Sequence, residues 1–162
     1  MIEDAKIQFA SSLPKTIVIV APRILLAEQL SSEFLEILDN VSVMHVHSGE
    51  TTHFSSTKAS DVYMWDLHTR GDKIIFTTYH SLHKIQESHI HVDTIYFDEA
   101  HNSVQKNFVE ATEYHSMYAN RCYFFTATPK HSKTPFKIEM NDEDIYGKVI
   151  VLSLIHISEP TR

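Results

Sequence analysis

Two adjacent carboxylates stand directly after a short apolar segment of the chain. The segment is Thr94-Ile95-Tyr96-Phe97, and Asp98-Glu99-Ala100-His101 follows it. Apolar runs of about four to eight residues are typical of strands in a buried parallel sheet, which binds ligands just past the carboxyl ends of its strands. Neighbouring side chains there point in different directions, so Asp98 can ligate Mg²⁺ while Glu99 acts on a water, as phosphoryl transfer requires. A solvated acidic turn that caps the next helix is the alternative interpretation.

The remaining sequence predicts the elements that must position these carboxylates. Further strands are predicted from short apolar or alternating runs, at 16–20, 41–48, 73–79 and 121–125. Helices are predicted from apolar residues at helical spacing, at 2–12, 24–38, 61–69 and 103–118. The run 41–48 alternates apolar and polar residues, which predicts a strand with a wetter face or a place near the sheet edge. Alternating strands and helices predict a three-layer α/β domain with a mainly parallel sheet and right-handed crossovers.

Residues suited to binding phosphate follow two of these strands. Pro22 and Arg23 come after the first strand, where a helix start would supply free backbone N–H groups beside the arginine. An amphipathic helix with an exposed arginine is the alternative there. Thr77, Thr78 and Ser81 come at the end of a later strand, and their hydroxyls could bind phosphate oxygens or cap the next helix.

Three stretches of the sequence occur in an order that resembles the DEAD/DEAH-like superfamily 2 helicases and translocases. Asp98-Glu99-Ala100-His101 resembles their Walker B box, and Pro22-Arg23-x-x-Leu26-x-x-Gln29 resembles their motif Ia. Thr126-Ala127-Thr128-Pro129 resembles motif III, which follows the Walker B box after one helix and one strand. The chain is most similar to the type III restriction enzyme Res subunits and the phage-type helicases. The resemblance implies the first RecA-like domain of a P-loop NTPase, with ATP and Mg²⁺ as cofactors.

The resemblance also implies a role for each matching residue. Asp98 would hold Mg²⁺, Glu99 would orient or deprotonate the attacking water, and His101 would couple the nucleotide state to the grip on nucleic acid. The triplet Thr126-Ala127-Thr128 would share this coupling role. The residues expected to face nucleic acid, with DNA favoured over RNA, are Pro22, Arg23, Gln29, Thr77, Thr78 and Ser81. A second RecA-like domain is the other expected partner.

A phosphate-binding P-loop, G-x-x-x-x-G-K-[ST], is absent from the 162 residues. Gly147-Lys148 is followed by Val149, so it is not a copy of that motif. In the family, the P-loop precedes a helix. Residues 2–12 resemble the last turns of that helix. We therefore expect an N-terminally truncated fragment of an ATP-dependent helicase or translocase that neither hydrolyses ATP nor moves on nucleic acid by itself. A degenerate domain that binds nucleic acid or protein without catalysis is the alternative.

The resemblance extends over residues 1–152, which we expect to form the partial RecA-like domain. Residues 153–162 resemble instead the in-frame translation of a sequencing-adapter end. We therefore expect this tail to be non-native and exclude it from the fold. A genuine C-terminal strand is the alternative.

Composition limits the partners and the compartment. The formal net charge is −7, which counts against nucleic acid because phosphate contacts come from clustered Lys and Arg. The single cysteine, Cys122, excludes an internal disulfide and fits a reducing compartment. No apolar run approaches the roughly 20 residues of a membrane span, and Met1-Ile2-Glu3-Asp4 differs from the basic start of a signal peptide. We therefore expect a cytoplasmic domain with no membrane partner.

Twelve histidines raise the alternative of a metal site. His45-x-His47 and His89-x-His91 have the spacing that puts two rings on one strand face, and His80 and His83 could share a helix face. Zinc in structural sites is usually four-coordinate, and Cys122 is the only thiol. Metal binding is therefore the minor interpretation of these histidines.

Overall fold

A computed structural model of the protein describes residues 1–125, which form one parallel sheet with helices on both faces. The strands are β1 (Thr16–Ala21), β2 (Ser42–Val46), β3 (Lys73–Thr78), β4 (Thr94–Phe97) and β5 (Arg121–Phe124). The helices are α1 (Ile2–Phe9), α2 (Ile24–Ile37), α3 (Ala59–His68), α4 (Leu82–Ser88) and α5 (Val109–Tyr118), with a 3₁₀ turn at Ala100–Val104. The order across the sheet is β2-β3-β1-β4-β5 and every pairing is parallel. The predicted α/β fold is confirmed.

The central strand β1 divides its side chains between two apolar clusters. Ile17 packs on one face of the sheet in a cluster with Ala5 of α1 and Phe34 of α2. Val18 packs on the other face with Val62 of α3 and with residues of α4 and α5. Burial of a large aliphatic side chain contributes about 1.5–3 kcal/mol to stability. Because β1 buries such side chains on both faces, the same strand holds both helix layers to the sheet. Within the described part of the chain, no helix has the length and apolar character needed to cross a bilayer.

The strand register brings the carboxyl ends of three strands to one edge of the sheet, which is the edge where the strands end and not the side formed by β2. Ala21, the last residue of β1, pairs with Thr78, the last residue of β3. Val20 of β1 pairs with Phe97, the last residue of β4. The residues that directly follow these three strands therefore lie side by side, where parallel sheets bind ligands.

A polar cluster joins helix α1 to β4. The side-chain amide of Gln8 donates to the Tyr96 hydroxyl at 3.2 Å and to Asp4 Oδ2 at 2.7 Å. The Thr94 hydroxyl donates to Gln8 Oε1, and the Tyr96 hydroxyl donates to the Asp4 carboxylate. Burial and the hydrogen bond to Asp4 raise the pKa of Tyr96, so the phenol stays protonated. Because each buried polar group has a partner, α1 can close this side of the core without a large desolvation cost.

Two helix boundaries differ from the predictions by about three residues or more. Helix α1 ends at Phe9 rather than near residue 12. Just after the helix, the Ser11 hydroxyl accepts a hydrogen bond from the backbone N–H of Leu13. Helix α5 begins at Val109 rather than near residue 103, because a 3₁₀ turn comes first. In that turn the Ser103 hydroxyl donates to the Ala100 carbonyl at 2.6 Å. Short polar side chains that bond to nearby backbone groups compete with regular helix in this way.

Strand β2 lies at the sheet edge, which confirms one of the two predicted alternatives, and its histidine face is not the wetter face of the other alternative. His45 and His47 are only 0% and 2% exposed. The loop that follows β2 folds back over it, so that the His45 N–H donates to the Phe54 carbonyl at 2.9 Å and the Ser56 N–H donates to the His45 carbonyl at 3.1 Å. This loop satisfies the edge backbone and encloses the two rings.

The free energy of unfolding should decrease as the pH falls from about 6.5 towards 4. Burial lowers the pKa of His115 to about 4 and that of His45 to about 4. In the unfolded chain these histidines bind protons near pH 6.5, so between the two values the unfolded state binds more protons and gains stability. Urea unfolding at a series of pH values measures the slope.

The His115→Leu variant removes one of the two groups and should show a shallower dependence, by up to about one proton. The matched control is Val62→Ala, which opens a cavity in the core but removes no titrating group, so it should keep the wild-type slope. Equal slopes in the wild type and His115→Leu would contradict the assignment.

Candidate functional site

The backbone of Asp98 is fixed at the sheet edge by both neighbouring elements. Its N–H donates to the carbonyl of Val20 in β1 at 2.8 Å. Its carbonyl accepts a hydrogen bond from the Tyr79 hydroxyl at 2.8 Å, and the Tyr79 N–H in turn donates to the Ala21 carbonyl at 3.2 Å. Tyr79 is buried in the core beneath the edge. The first carboxylate is therefore carried on a rigid backbone while its side chain is half-buried.

Glu99 has a left-handed backbone conformation, with φ 49° and ψ 54°. Residues with a Cβ rarely adopt this conformation, which costs of order 1 kcal/mol or more. The turn is held by two hydrogen bonds from Asn102 to the Glu99 carbonyl, at 3.0 Å from its N–H and 2.9 Å from its side-chain amide. The Ala100 N–H also donates to the Phe125 carbonyl, at 2.9 Å. This conformation turns the chain sharply between the two carboxylates.

His101 lies beside the second carboxylate. Its Nε2 atom is 3.7 Å from Glu99 Oε2, and the two side chains are 24% and 35% exposed. A protonated His101 would therefore form an ion pair with Glu99 at the surface of the turn. The pair places an imidazole next to the carboxylate expected to act on water.

Two clefts at this edge collect most of the residues singled out by sequence. One, of about 570 Å³, is lined by Asp98, Glu99 and His101 together with Pro22 and Arg23. The second, of about 300 Å³, shares Pro22 and Arg23 and is also lined by residues that follow β3, namely Thr78, His80 and Ser81. The candidate catalytic and candidate phosphate-binding residues thus occupy neighbouring clefts with Arg23 common to both.

Some predicted residues lie elsewhere. Thr77 is fully buried and its hydroxyl donates to the Val46 carbonyl at 2.8 Å, so it lines neither cleft. Gln29 is exposed on α2 and is also absent from the lining of both clefts. Ser81 is the N-cap residue of α4 but makes no side-chain capping bond. The triplet Thr126-Ala127-Thr128 lies outside the described residues.

Among the polar residues that line the clefts, Asn102 was not predicted to bind a ligand, and His80 was a candidate only in the metal alternative. Asn102 lines the larger cleft and supports the Glu99 turn, and His80 lines the smaller one. The sequence signal for Asn102 is its spacing, because Asn three residues after a strand-end residue can bond back to that residue's carbonyl. His80 has no comparable signal beyond following Tyr79.

The fold and the strand-end carboxylates define a superfamily 2 helicase-like RecA domain. The sequence model of the family described as type III restriction enzyme, res subunit, matches residues 1–131. The chain belongs to this family, which confirms the predicted resemblance. No curated protein sequence matches the chain significantly.

Two solved structures share the fold. The first is a nuclease-deletion mutant of the Type ISP restriction-modification enzyme LlaGI in complex with a DNA substrate mimic, with 21% identity and a TM-score of 0.73 over 91% of this chain. The second is the ATP-dependent Type ISP restriction-modification enzyme LlaBIII bound to DNA, with 20% identity and a TM-score of 0.66 over 90% of this chain. The chain spans only 14% and 12% of these enzymes.

The left-handed backbone of Glu99 should make glycine the more stable replacement there. We expect Glu99→Gly to have a higher free energy of unfolding than Glu99→Ala, by about 1 kcal/mol, because glycine adopts positive φ without steric cost. Both variants lose the same carboxylate, so their difference isolates the backbone effect. Urea unfolding measures it.

Glu33 provides the matched control, because it is exposed within α2. At this helical position the order should reverse, with Glu33→Gly less stable than Glu33→Ala by about 1 kcal/mol. A destabilising effect of glycine at both positions would contradict the strained geometry of Glu99.

Proposed function

We propose that the chain is the first RecA-like domain, or part of it, of an ATP-dependent motor that acts on DNA. The observation that carries the proposal is the shared cleft, in which Asp98 and Glu99 of a D-E-A-H sequence face Arg23 and Pro22 across the ends of two adjacent strands. Family membership supports the same class of protein. The two structural relatives are described as bound to DNA or to a DNA mimic, which favours DNA as the partner.

The carboxylates at this edge fit a magnesium ion. Mg²⁺ keeps several of its waters and is bound in nucleotide sites by one or two carboxylates and the phosphates. Asp98 has a fixed backbone and a half-buried side chain, which suits a ligand acting through water. When bound with ATP, the ion would neutralise charge on the phosphates. Glu99, held apart from Asp98 by its backbone turn, is the residue that would orient or deprotonate the attacking water.

The start of α2 is suited to a phosphate of the DNA backbone. Arg23 is its N-cap residue, is exposed, and makes no side-chain cap. The first turn of α2 contains no acidic residue, so no side chain of that turn competes with an anion for its free N–H groups and the positive end of the helix dipole. Thr78 and Ser81 line the adjacent cleft, and their hydroxyls could contact the backbone of the same DNA strand.

The remaining roles follow from the family resemblance. His101, with Thr126, Ala127 and Thr128, would couple the nucleotide state to the grip on DNA. The contact between His101 and Glu99 gives this coupling a physical route, because a change of charge at either side chain is felt by the other. Gln29 would contact DNA further along α2. A second RecA-like domain would supply the moving partner that such coupling requires.

Arg23→Ala should weaken the binding of single-stranded DNA several-fold, since it removes one phosphate contact. The plot of log affinity against log salt should become shallower by about 0.7, the value for one lost contact on a single strand. Fluorescence anisotropy with a labelled oligonucleotide at several salt concentrations measures both effects.

Arg70→Ala is the matched control because it makes the same change of charge. Arg70 is exposed and precedes β3, so it lies at the opposite edge of the sheet from Arg23. Its replacement should leave both affinity and slope close to those of the wild type. Equal losses from the two variants would mean that the chain binds DNA by overall charge only, against the proposed cleft.

The 162-residue chain alone should not hydrolyse ATP, because its sequence contains no P-loop to hold the phosphates. Phosphate release in the presence of Mg²⁺ and saturating DNA should equal that of Glu99→Gln, which keeps the shape of the side chain and removes the base. Turnover above this control would overturn the expectation of inactivity. The second candidate function is a non-catalytic domain that binds nucleic acid or protein. The missing P-loop is the one observation that favours it, and turnover would remove that support.

A further inference from the structure

Three potential metal ligands converge between helix α2 and the edge strand β2, away from the clefts described above. His45 Nδ1 and His47 Nε2 are 3.1 Å apart, and Glu28 Oε1 is 3.5 Å from each of them. Among the described residues, this is the group of three His, Cys, Asp or Glu side chains whose ligand atoms are close enough to hold one ion. The rings come from alternate residues of β2, and the carboxylate reaches them from the second turn of α2.

The size of this triangle matches a tetrahedral transition-metal ion. Zinc bonds to imidazole nitrogen and carboxylate oxygen at about 2.0–2.2 Å, so two ligands at tetrahedral angles lie about 3.3–3.5 Å apart. The observed separations of 3.1, 3.5 and 3.5 Å leave a point just outside their plane that is about 2 Å from all three atoms. An octahedral magnesium or calcium site would instead be expected to use oxygen ligands.

One oxygen of the Glu28 carboxylate is enclosed within the triangle, although the side chain as a whole is 28% exposed. Glu28 Oε1 is buried and accepts no hydrogen bond from the described residues. Burial lowers the pKa of His45 to about 4, against the opposing effect of Glu28, and it also lowers the pKa of His47. The lowered pKa values favour the neutral imidazole, which is the form that ligates a metal, and the buried carboxylate oxygen is available as the third ligand.

The second ring nitrogens already have partners that fix the rings. His45 Nε2 is 3.0 Å from the Ser31 hydroxyl, which can accept a hydrogen bond from it and so leaves the lone pair on Nδ1, where it accepts from His47 Nε2 when no metal is bound. The Gly49 N–H donates to His47 Nδ1 at 3.1 Å, so without metal the His47 proton is on Nε2. A metal at Nε2 requires the other tautomer of His47, and binding therefore opens the hydrogen bond from Gly49.

We propose that Glu28, His45 and His47 form a binding site for a zinc-type divalent transition-metal ion, with water as the fourth ligand. The bound ion would join α2 to the edge strand and so stabilise the fold. This site uses no residue of the proposed motor mechanism and stands independently of it.

The test measures Zn²⁺ binding to the purified metal-free chain by competition with a chromophoric chelator, and records the visible spectrum of the Co²⁺-substituted chain. We expect one tightly bound Zn²⁺ per chain, a higher melting temperature with Zn²⁺, and the intense visible bands of four-coordinate Co²⁺. Glu28→Gln, which preserves the size of the side chain, should weaken this binding at least tenfold, and His47→Gln should do the same.

Matched controls separate the site from surface binding by the other histidines. Glu36→Gln removes a carboxylate from an exposed position of the same helix, and His83→Gln removes an exposed histidine. Both should bind Zn²⁺ like the wild type, and circular dichroism should show all variants folded. Absence of stoichiometric binding to the wild type, wild-type affinity in Glu28→Gln, or the weak spectrum of six-coordinate Co²⁺ would each overturn the proposal.

Discussion

The parallel pairing of β1 with β4 is the constraint on which the candidate site depends. The Asp98 N–H continues the ladder by donating to the Val20 carbonyl, so the first carboxylate begins where the strand pairing ends. The same register aligns the end of β3 with the end of β1 and brings Tyr79 underneath Asp98. Backbone hydrogen bonds and core packing therefore fix where the candidate site lies on the sheet.

The rigid edge explains how a strained residue can persist beside the carboxylate. Glu99 is held in its left-handed conformation by two hydrogen bonds from Asn102, and the next N–H is bonded to Phe125 at the end of β5. These bonds and the buried strand before them outweigh a local cost of order 1 kcal/mol. The left-handed residue ends the extended run of β4 directly after Asp98, so the chain changes direction at the second carboxylate.

The sequence predicted the strands well because three of the five, β1, β3 and β4, are short apolar runs that are buried on both faces. It predicted less well wherever a distant partner decides the structure. The alternation at 41–48 correctly indicated a sheet edge, but the burial of His45 depends on a loop that folds back from Phe54 and Ser56. The first carboxylate, Asp98, was predictable from its place after a strand, whereas the internal hydrogen bond of Thr77 depends on a neighbour 31 residues away in the chain.

Helix α2 connects the two sites that the structure suggests. Arg23 at its start faces the cleft at the strand ends, and Glu28, about 7.5 Å further along the helix axis, faces the two histidines of the edge strand. The helix is otherwise held to the sheet by apolar contacts such as Phe34, which resist separation but have little directional preference. Metal coordination is directional, so an ion at Glu28 would restrict sliding and rotation of α2 and thereby fix the position of Arg23. Loss of the metal would then loosen the helix end proposed to bind DNA without touching Asp98 or Glu99, which would distinguish a structural ion from one that takes part in catalysis.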